Sequence, residues 1–303
     1  MNGRTDTCSL TVDVEEWFHS HNLKHLIKEE DWTHCESRVE RSTMRILDIL
    51  GRSNTPATFF ILGWVAERNP GLVRTIAEAG HEVASHGYGH ELVYSLDPER
   101  FNADVTRSKH ILEDILGHSV RGYRAPCFSI TEWALRILRD VGFEYDSSHF
   151  PVVHDRYGRI AADGSGDPIP EVVDGLHEIR ISALTILGVA LPWGGGGYFR
   201  LCPFPLWVWG ARRIVRCGMP YVFYIHPWEI DTDRPDVPGL TGMAAFRHNI
   251  GLQTCESRLA ALSGAFRWRT LGDLVDGTME RKLDPQRARD DDRRAHKVSR
   301  CAC

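Results

Sequence analysis

Ser9-Leu10-Thr11-Val12-Asp13-Val14-Glu15-Glu16 is an apolar, β-rich run that ends in carboxylates. It has the form of a buried strand with polar groups at its C-terminal end. The pattern recurs along the chain. Thr58-Phe59-Phe60-Ile61-Leu62, Glu82-Val83-Ala84-Ser85, Gly122-Tyr123-Arg124 and Tyr221-Val222-Phe223-Tyr224-Ile225 read as further short strands. Helices are predicted between them. One is capped by Ser37 and Glu40 and runs through Leu50, and one runs from Pro70 to Ala79 with Gly80 behind it. Others open at Asp97-Pro98, run from Thr131 to Val141 ahead of Gly142, and run from Leu206 to Cys217. Met243 to Leu262 reads as the last long helix and Arg267 to Thr270 as a final strand. Repeated strand-then-helix order predicts an α/β fold with a parallel sheet, closed or open.

The chain has 303 residues, 42% hydrophobic and 25% charged, enough for one large core. A net charge of -5 and a pI near 6.3 give no electrostatic case for nucleic acid. Met1 to Ser9 is polar, with no apolar leader core, and Ile179 to Trp193 is broken by Arg180, Ser182, Thr185, Gly188 and Pro192. The expectation is a cytoplasmic protein without stable membrane insertion. The eight cysteines are scattered, Cys301 and Cys303 lack finger spacing, and most of the set is expected to be buried thiols. Ser147 to Glu178, rich in Pro, Gly and Asp, reads as a long insertion, and the charged run from about Arg281 reads as a disordered tail.

Four strand ends carry groups suited to chemistry. His86-Gly87-Tyr88-Gly89-His90 sets two imidazoles four positions apart, a spacing that can chelate one ion. Asp13, Glu15 and Glu16 follow the first strand, where carboxylates would repel one another unless a cation offset them. A metal held by His86 and His90 needs a third protein ligand, which one of these carboxylates can supply. Two histidines, one carboxylate and open positions describe a catalytic rather than a structural metal site. Arg124, held before Ala125-Pro126, can pair with Asp13 and keep it ionised as a base. His226, ending an apolar strand before Pro227, is suited to protonate a leaving amine, and Asp146 is a candidate to orient it. Trp193, Tyr198 and Trp228, near the Gly194 to Gly197 run, are candidates to stack on pyranose rings.

The ordered set Thr-Val-Asp-Val-Glu-Glu, Thr-Phe-Phe-Ile, Ser-His-Gly-Tyr-Gly-His, Arg-Ala-Pro, Tyr-Asp-Ser-Ser and Ile-His-Pro-Trp resembles the polysaccharide deacetylase (NodB-type, carbohydrate esterase) family over about residues 9 to 230. The Gly-Gly-Gly-Gly-Tyr-Phe-Arg and His-Pro-Trp-Glu-Ile-Asp runs resemble a bacterial subgroup associated with exopolysaccharide clusters. That resemblance implies a distorted (β/α)7 barrel over 9–230 with an insertion at about 150–205. It also implies a packed extension over 231–280 ahead of the tail. It implies a divalent metal, zinc by preference, and an N-acetylated polysaccharide or oligosaccharide as partner and substrate. Asp13 would be the base, His86 and His90 ligands, Arg124 the group that tunes Asp13, and His226 the acid. Many family members carry two adjacent aspartates in the first motif, the second a ligand; here Val14 follows Asp13, which leaves Glu15 or Glu16, and strand alternation puts Glu15 on the Asp13 side as the expected ligand. The competing readings are an allantoinase-like amidohydrolase, an inactive carbohydrate-binding barrel, and an Fe(II) oxygenase using the same donor set.

Overall fold

The computed structural model describes residues 7–158, 160 and 167–283. The tail expected after Arg281 lies outside them from residue 284 onward. In chain order the elements are β1 (Cys8–Val14), α1 (Val39–Arg52), β2 (Thr58–Ile61), α2 (Gly63–Arg68), α3 (Pro70–Glu78), β3 (Glu82–Ser85), α4 (Pro98–Leu116), β4 (Gly122–Tyr123) and α5 (Glu132–Val141). Then come β5 (Tyr145–Asp146), β6 (Glu171–Val173), β7 (Leu176–Glu178), β8 (Ala183–Ile186), β9 (Val189–Pro192), α6 (Gly196–Leu201) and α7 (Phe204–Arg216). The chain continues with β10 (Tyr221–Ile225), α8 (Gly242–Asn249), α9 (Leu252–Ser263), β11 (Trp268–Arg269) and α10 (Leu271–Leu283).

Strands β10, β1, β2, β3, β4, β5 and β7 lie side by side in that order, every pair parallel. This is a distorted (β/α)7 barrel. Buried on both faces, its strands are apolar runs rather than alternations; Leu10, Val12, Phe59, Phe60, Phe223 and Ile225 are all fully buried. Between β7 and β10 the closure is not a strand ladder. The Ser182 hydroxyl accepts the Val222 N–H at 2.8 Å and donates to the Pro220 carbonyl, and Gly194 O accepts the Tyr224 N–H at 2.7 Å.

Several local expectations are corrected. Ser37 does not cap α1. Its hydroxyl donates to Glu16 at 2.5 Å, and the Glu16 carboxylate takes the Arg38 N–H at 2.9 Å, doing the capping from a distance in sequence. The expected helix from Met243 to Leu262 is two helices. The chain turns at Gly251, φ 68°, where an added Cβ would lie 2.5 Å from Arg200 O. The stretch read as an insertion supplies a barrel strand, β7. The extension is woven into the sheet, since β11 pairs with the start of β1 and the Leu271 N–H donates to Thr58 Oγ1. Among the described cysteines Cys8 and Cys255 are buried, Cys35, Cys127 and Cys202 are half-buried, and Cys217 is exposed. The expectation of mostly buried thiols does not hold for this set.

Candidate active site

Parallel strands deliver their C-terminal ends to one rim of the barrel. Asp13 sits at the end of β1, His86 just after β3, Arg124 just after β4 and His226 just after β10. All line, or lie directly beneath, a cleft of about 280 Å³.

Glu15 reaches this cleft although β1 ends at Val14. A tight turn, with the Glu15 N–H donating to Asp13 O at 3.1 Å, keeps its side chain on the Asp13 side. Glu16 points away, to Ser37 and Arg38. Ligand atoms of Glu15, His86 and His90 all lie within 4.8 Å of one another. His86 Nδ1 faces the Arg124 carbonyl at 2.9 Å, which fixes the proton on Nδ1 and leaves Nε2 free. Burial pulls the His86 pKa down to about 4, with Asp13 and Glu15 opposing only in part, so the ring is neutral. His90 is held at φ 52°, a conformation uncommon for a non-glycine residue. Its Nε2 stands 2.5 Å from Glu15 Oε2, yet that buried oxygen receives no directed hydrogen bond. That close approach of an imidazole nitrogen to a carboxylate oxygen, with His86 beside them, suits a shared cation. Two imidazoles and one carboxylate fit a borderline metal such as zinc. Burial raises the Glu15 pKa, but His90, His226 and His86 outweigh it and hold the carboxyl well below its ordinary range.

Asp13 and His226 flank this group. Asp13 Oδ1 accepts from Arg124 Nη1 at 2.6 Å, leaving Oδ2 directed into the cleft. Arg124 is fully buried. Its Nη1 also donates to Thr11 Oγ1, its Nε to Ser147 O and its Nη2 to Ser147 Oγ, so one guanidinium fixes Asp13 against three strands. His226 Nε2 lies 4.0 Å from Asp13 Oδ2 and 3.6 Å from Glu15 Oε1. Burial lowers the His226 pKa, but Glu15, Glu229 and Asp13 together carry it up to about 9, so the imidazole holds its proton at neutral pH.

Glu229, not Asp146, orients His226. Its Oε1 lies 2.7 Å from His226 Nδ1, and its Oε2 accepts from Arg200 Nε at 2.6 Å. Burial raises the Glu229 pKa, but Arg200 and His226 bring it down to about 2. Asp146 is fully buried, takes the Ser148 hydroxyl at 2.5 Å and pairs with Glu178. Sequence reasoning missed Glu229 and Arg200. The available signal was the i,i+3 spacing of His226 and Glu229 before a helical turn, with Arg200 the lone cation after the glycine run. His19 was missed too. Its ring stacks beside His90 at 6.0 Å within an aromatic group that includes Phe18, Trp32 and Trp64.

Of the expected stacking residues, Tyr198 lines the cleft and is exposed. Trp228 also lines it, but it lies face to face with His226 and donates its indole N–H to Glu15 Oε1 at 3.1 Å, so it braces the centre. Trp193 is elsewhere. It is buried, stacked on Trp207, and bonds the Trp207 carbonyl at 2.9 Å. The apolar neighbours around it made a core position the lower-energy one.

Residues 19–145 match the polysaccharide deacetylase family model. Over that stretch the chain carries a polysaccharide deacetylase domain. Residues 147–276 match a domain of unknown function, DUF3473. The deacetylase-like part is 32% identical over 101 residues to a peptidoglycan-N-acetylglucosamine deacetylase of Bacillus cereus, covering 33% of this chain and 37% of that protein. It is 31% identical over 104 residues to a peptidoglycan deacetylase of Helicobacter pylori, covering 34% and 36%. The match thus spans little more than a third of those relatives. A crystal structure of a candidate polysaccharide deacetylase from Mycobacterium smegmatis superposes with TM-score 0.60 at 22% identity, covering 94% of each chain. At that identity the likeness speaks for the shared fold.

Proposed function

We propose that this polysaccharide deacetylase homologue hydrolyses N-acetyl groups from amino-sugar residues of a polysaccharide or oligosaccharide, releasing acetate. The observation that carries the reading is the pairing of an anchored carboxylate, Asp13, with an imidazole, His226, 4.0 Å apart beside the Glu15, His86 and His90 donor set. Glu15, His86 and His90 would hold a divalent ion, with zinc the choice by donor type. Such an ion supplies Lewis acidity toward an amide carbonyl and toward water. Asp13, with one oxygen tied to Arg124, takes the proton from the attacking water through Oδ2. His226 gives the proton on Nε2 to the departing amine, while Glu229 steadies the ring from Nδ1. Tyr198 offers a face for a sugar ring at the cleft mouth.

An exopolysaccharide is the substrate class favoured by the glycine-run and His-Pro-Trp-Glu-Ile-Asp motifs. The cytoplasm is the proposed compartment, supported by the free thiols of Cys35, Cys127, Cys202, Cys217 and Cys255. The test is acetate release from N-acetylated oligosaccharides by the metal-loaded protein, before and after chelation. Release that stops on chelation and returns with zinc is expected. Undiminished release after complete metal removal, or none from any N-acetylated glycan, would sink the reading.

A further inference from the structure

Between Glu178 and Glu229 the sequence contains no Asp or Glu, yet it carries Arg180, Arg200, Arg212, Arg213 and Arg216. A chain of net charge -5 thus concentrates positive charge in one stretch. Two neighbouring elements of that stretch are β8–β9, an antiparallel hairpin, and α7, which packs against β8. Neither resembles an ordinary solvated surface.

The hairpin exposes aliphatic groups. Leu187, at its tip, is 99% exposed, and Val189 is 59% exposed, with Ile186 and Leu191 exposed beside them. Leu187 holds φ 51° and Gly188 φ 79°, the two positive values of a tight hairpin turn in which Asn-Gly is the favoured pair. A bulky apolar residue in that place is unfavourable both in backbone conformation and in hydration. On α7, Leu206, Trp209, Arg212 and Arg216 recur on one exposed stripe, opposite buried Trp207, Ala211 and Ile214. None of Arg212, Arg213 and Arg216 forms an ion pair among the described residues.

We propose that the β8–β9 tip and the exposed stripe of α7 form a peripheral docking surface for an anionic lipid bilayer. Aliphatic side chains at a narrow protruding tip suit insertion among acyl chains. A tryptophan suits the interfacial layer, and unpaired arginines suit anionic headgroups. A second copy of this chain is a poorer occupant, because its matching surface is cationic and would repel. No helix among the described residues is long and apolar enough to cross a membrane, so the contact is a surface one.

The test is co-sedimentation of the full chain with vesicles of phosphatidylcholine alone and of phosphatidylcholine mixed with phosphatidylglycerol. The wild-type protein is expected to pellet with the mixed vesicles, less so as salt is raised, and weakly with the neutral ones. Leu187→Asp should weaken partitioning about tenfold, and Arg212→Gln and Arg216→Gln about fivefold each. Each variant should keep the wild-type melting temperature. If Leu187→Asp melts early, Val189→Asp takes its place. Failure of the wild type to pellet with anionic vesicles overturns the proposal, as does equal pelleting of wild type and tip variants. A concentration-dependent dimer in vesicle-free ultracentrifugation, dispersed by Leu187→Asp, would instead assign the surface to self-association and also overturn it.

Discussion

Adjacent glutamates with opposite fates give the most direct residue-scale prediction. Glu15→Ala, His86→Ala and His90→Ala should each lose bound zinc, read by elemental analysis, while remaining folded. Glu16→Ala should keep the metal but lose about 1–3 kcal/mol of stability in urea unfolding, because Ser37 and the Arg38 N–H lose their acceptor. Asp13→Asn should retain zinc and lower turnover by about 10²–10⁴. Glu229 sets the pH response. Its charge raises the His226 pKa, and the acid is lost as pH rises through that value, so Glu229→Gln should move the basic limb of the activity profile down by about 1 pH unit or more. An unmoved limb would remove His226 from the acid role. Asp13, Glu15, His86, Arg124 and His226 were legible because each stands at or just past a strand end, and His90 because it lies four positions after His86. The partner of His226 was not. Asp146 and Glu229 both stand near strand ends, and only the turn after β10 decides which carboxylate faces the imidazole.

At the scale of elements, glycine and buried acid decide what can be moved. Gly195 holds φ 148°, and a Cβ there would lie 1.9 Å from Tyr224 O, inside the contact that leads α6 toward β10. Gly195→Ala should cost about 3 kcal/mol or more in unfolding free energy, and Gly197→Ala, at an uncrowded position with ordinary φ, much less. The ends of β5 and β7 bring Asp146 against Glu178. Burial raises both carboxyls, Asp146 to about 6 and Glu178 well above its ordinary value. A folded-state acid pKa above the unfolded one means that folding takes up protons, so stability falls as pH rises from the unfolded carboxyl value. Glu178→Gln keeps an acceptor for the His149 N–H and removes one of the two charges. Its melting temperature should therefore decline less than that of wild type between about pH 5 and 8; parallel curves would show that the pair carries no shared proton. Neither effect was visible in sequence, where β7 was hidden among Pro, Gly and Asp. The break at Gly251 was hidden too, because apolar spacing runs on through both α8 and α9.

For the whole molecule, the C-terminal elements are the test of how the barrel is completed. Trp268 and Arg269 pair with Cys8 and Ser9, and Leu271, Leu274 and Val275 are buried in the core beside Phe60 and Val222. Ending the chain at Gly264 should give protein without a cooperative melt, whereas an appendage would leave the transition intact; calorimetry separates the two. The sequence order of strands and helices foretold a parallel α/β fold because local hydrophobic period survives in any context. Pairing of the last strand beside the first depends on contacts more than two hundred residues apart, which leave no local trace.

The junction between β7 and β10 has a consequence in time rather than in space. Where a ladder would share its load over successive amides, the Val222 N–H depends on one serine hydroxyl and the Tyr224 N–H on one glycine carbonyl. Ser182→Ala should therefore speed deuterium uptake at Val222 well before it changes uptake at Val12 or Phe59 in the ladder between β1 and β2. His226, one residue beyond β10, would then ride on the part of the wall that breathes most.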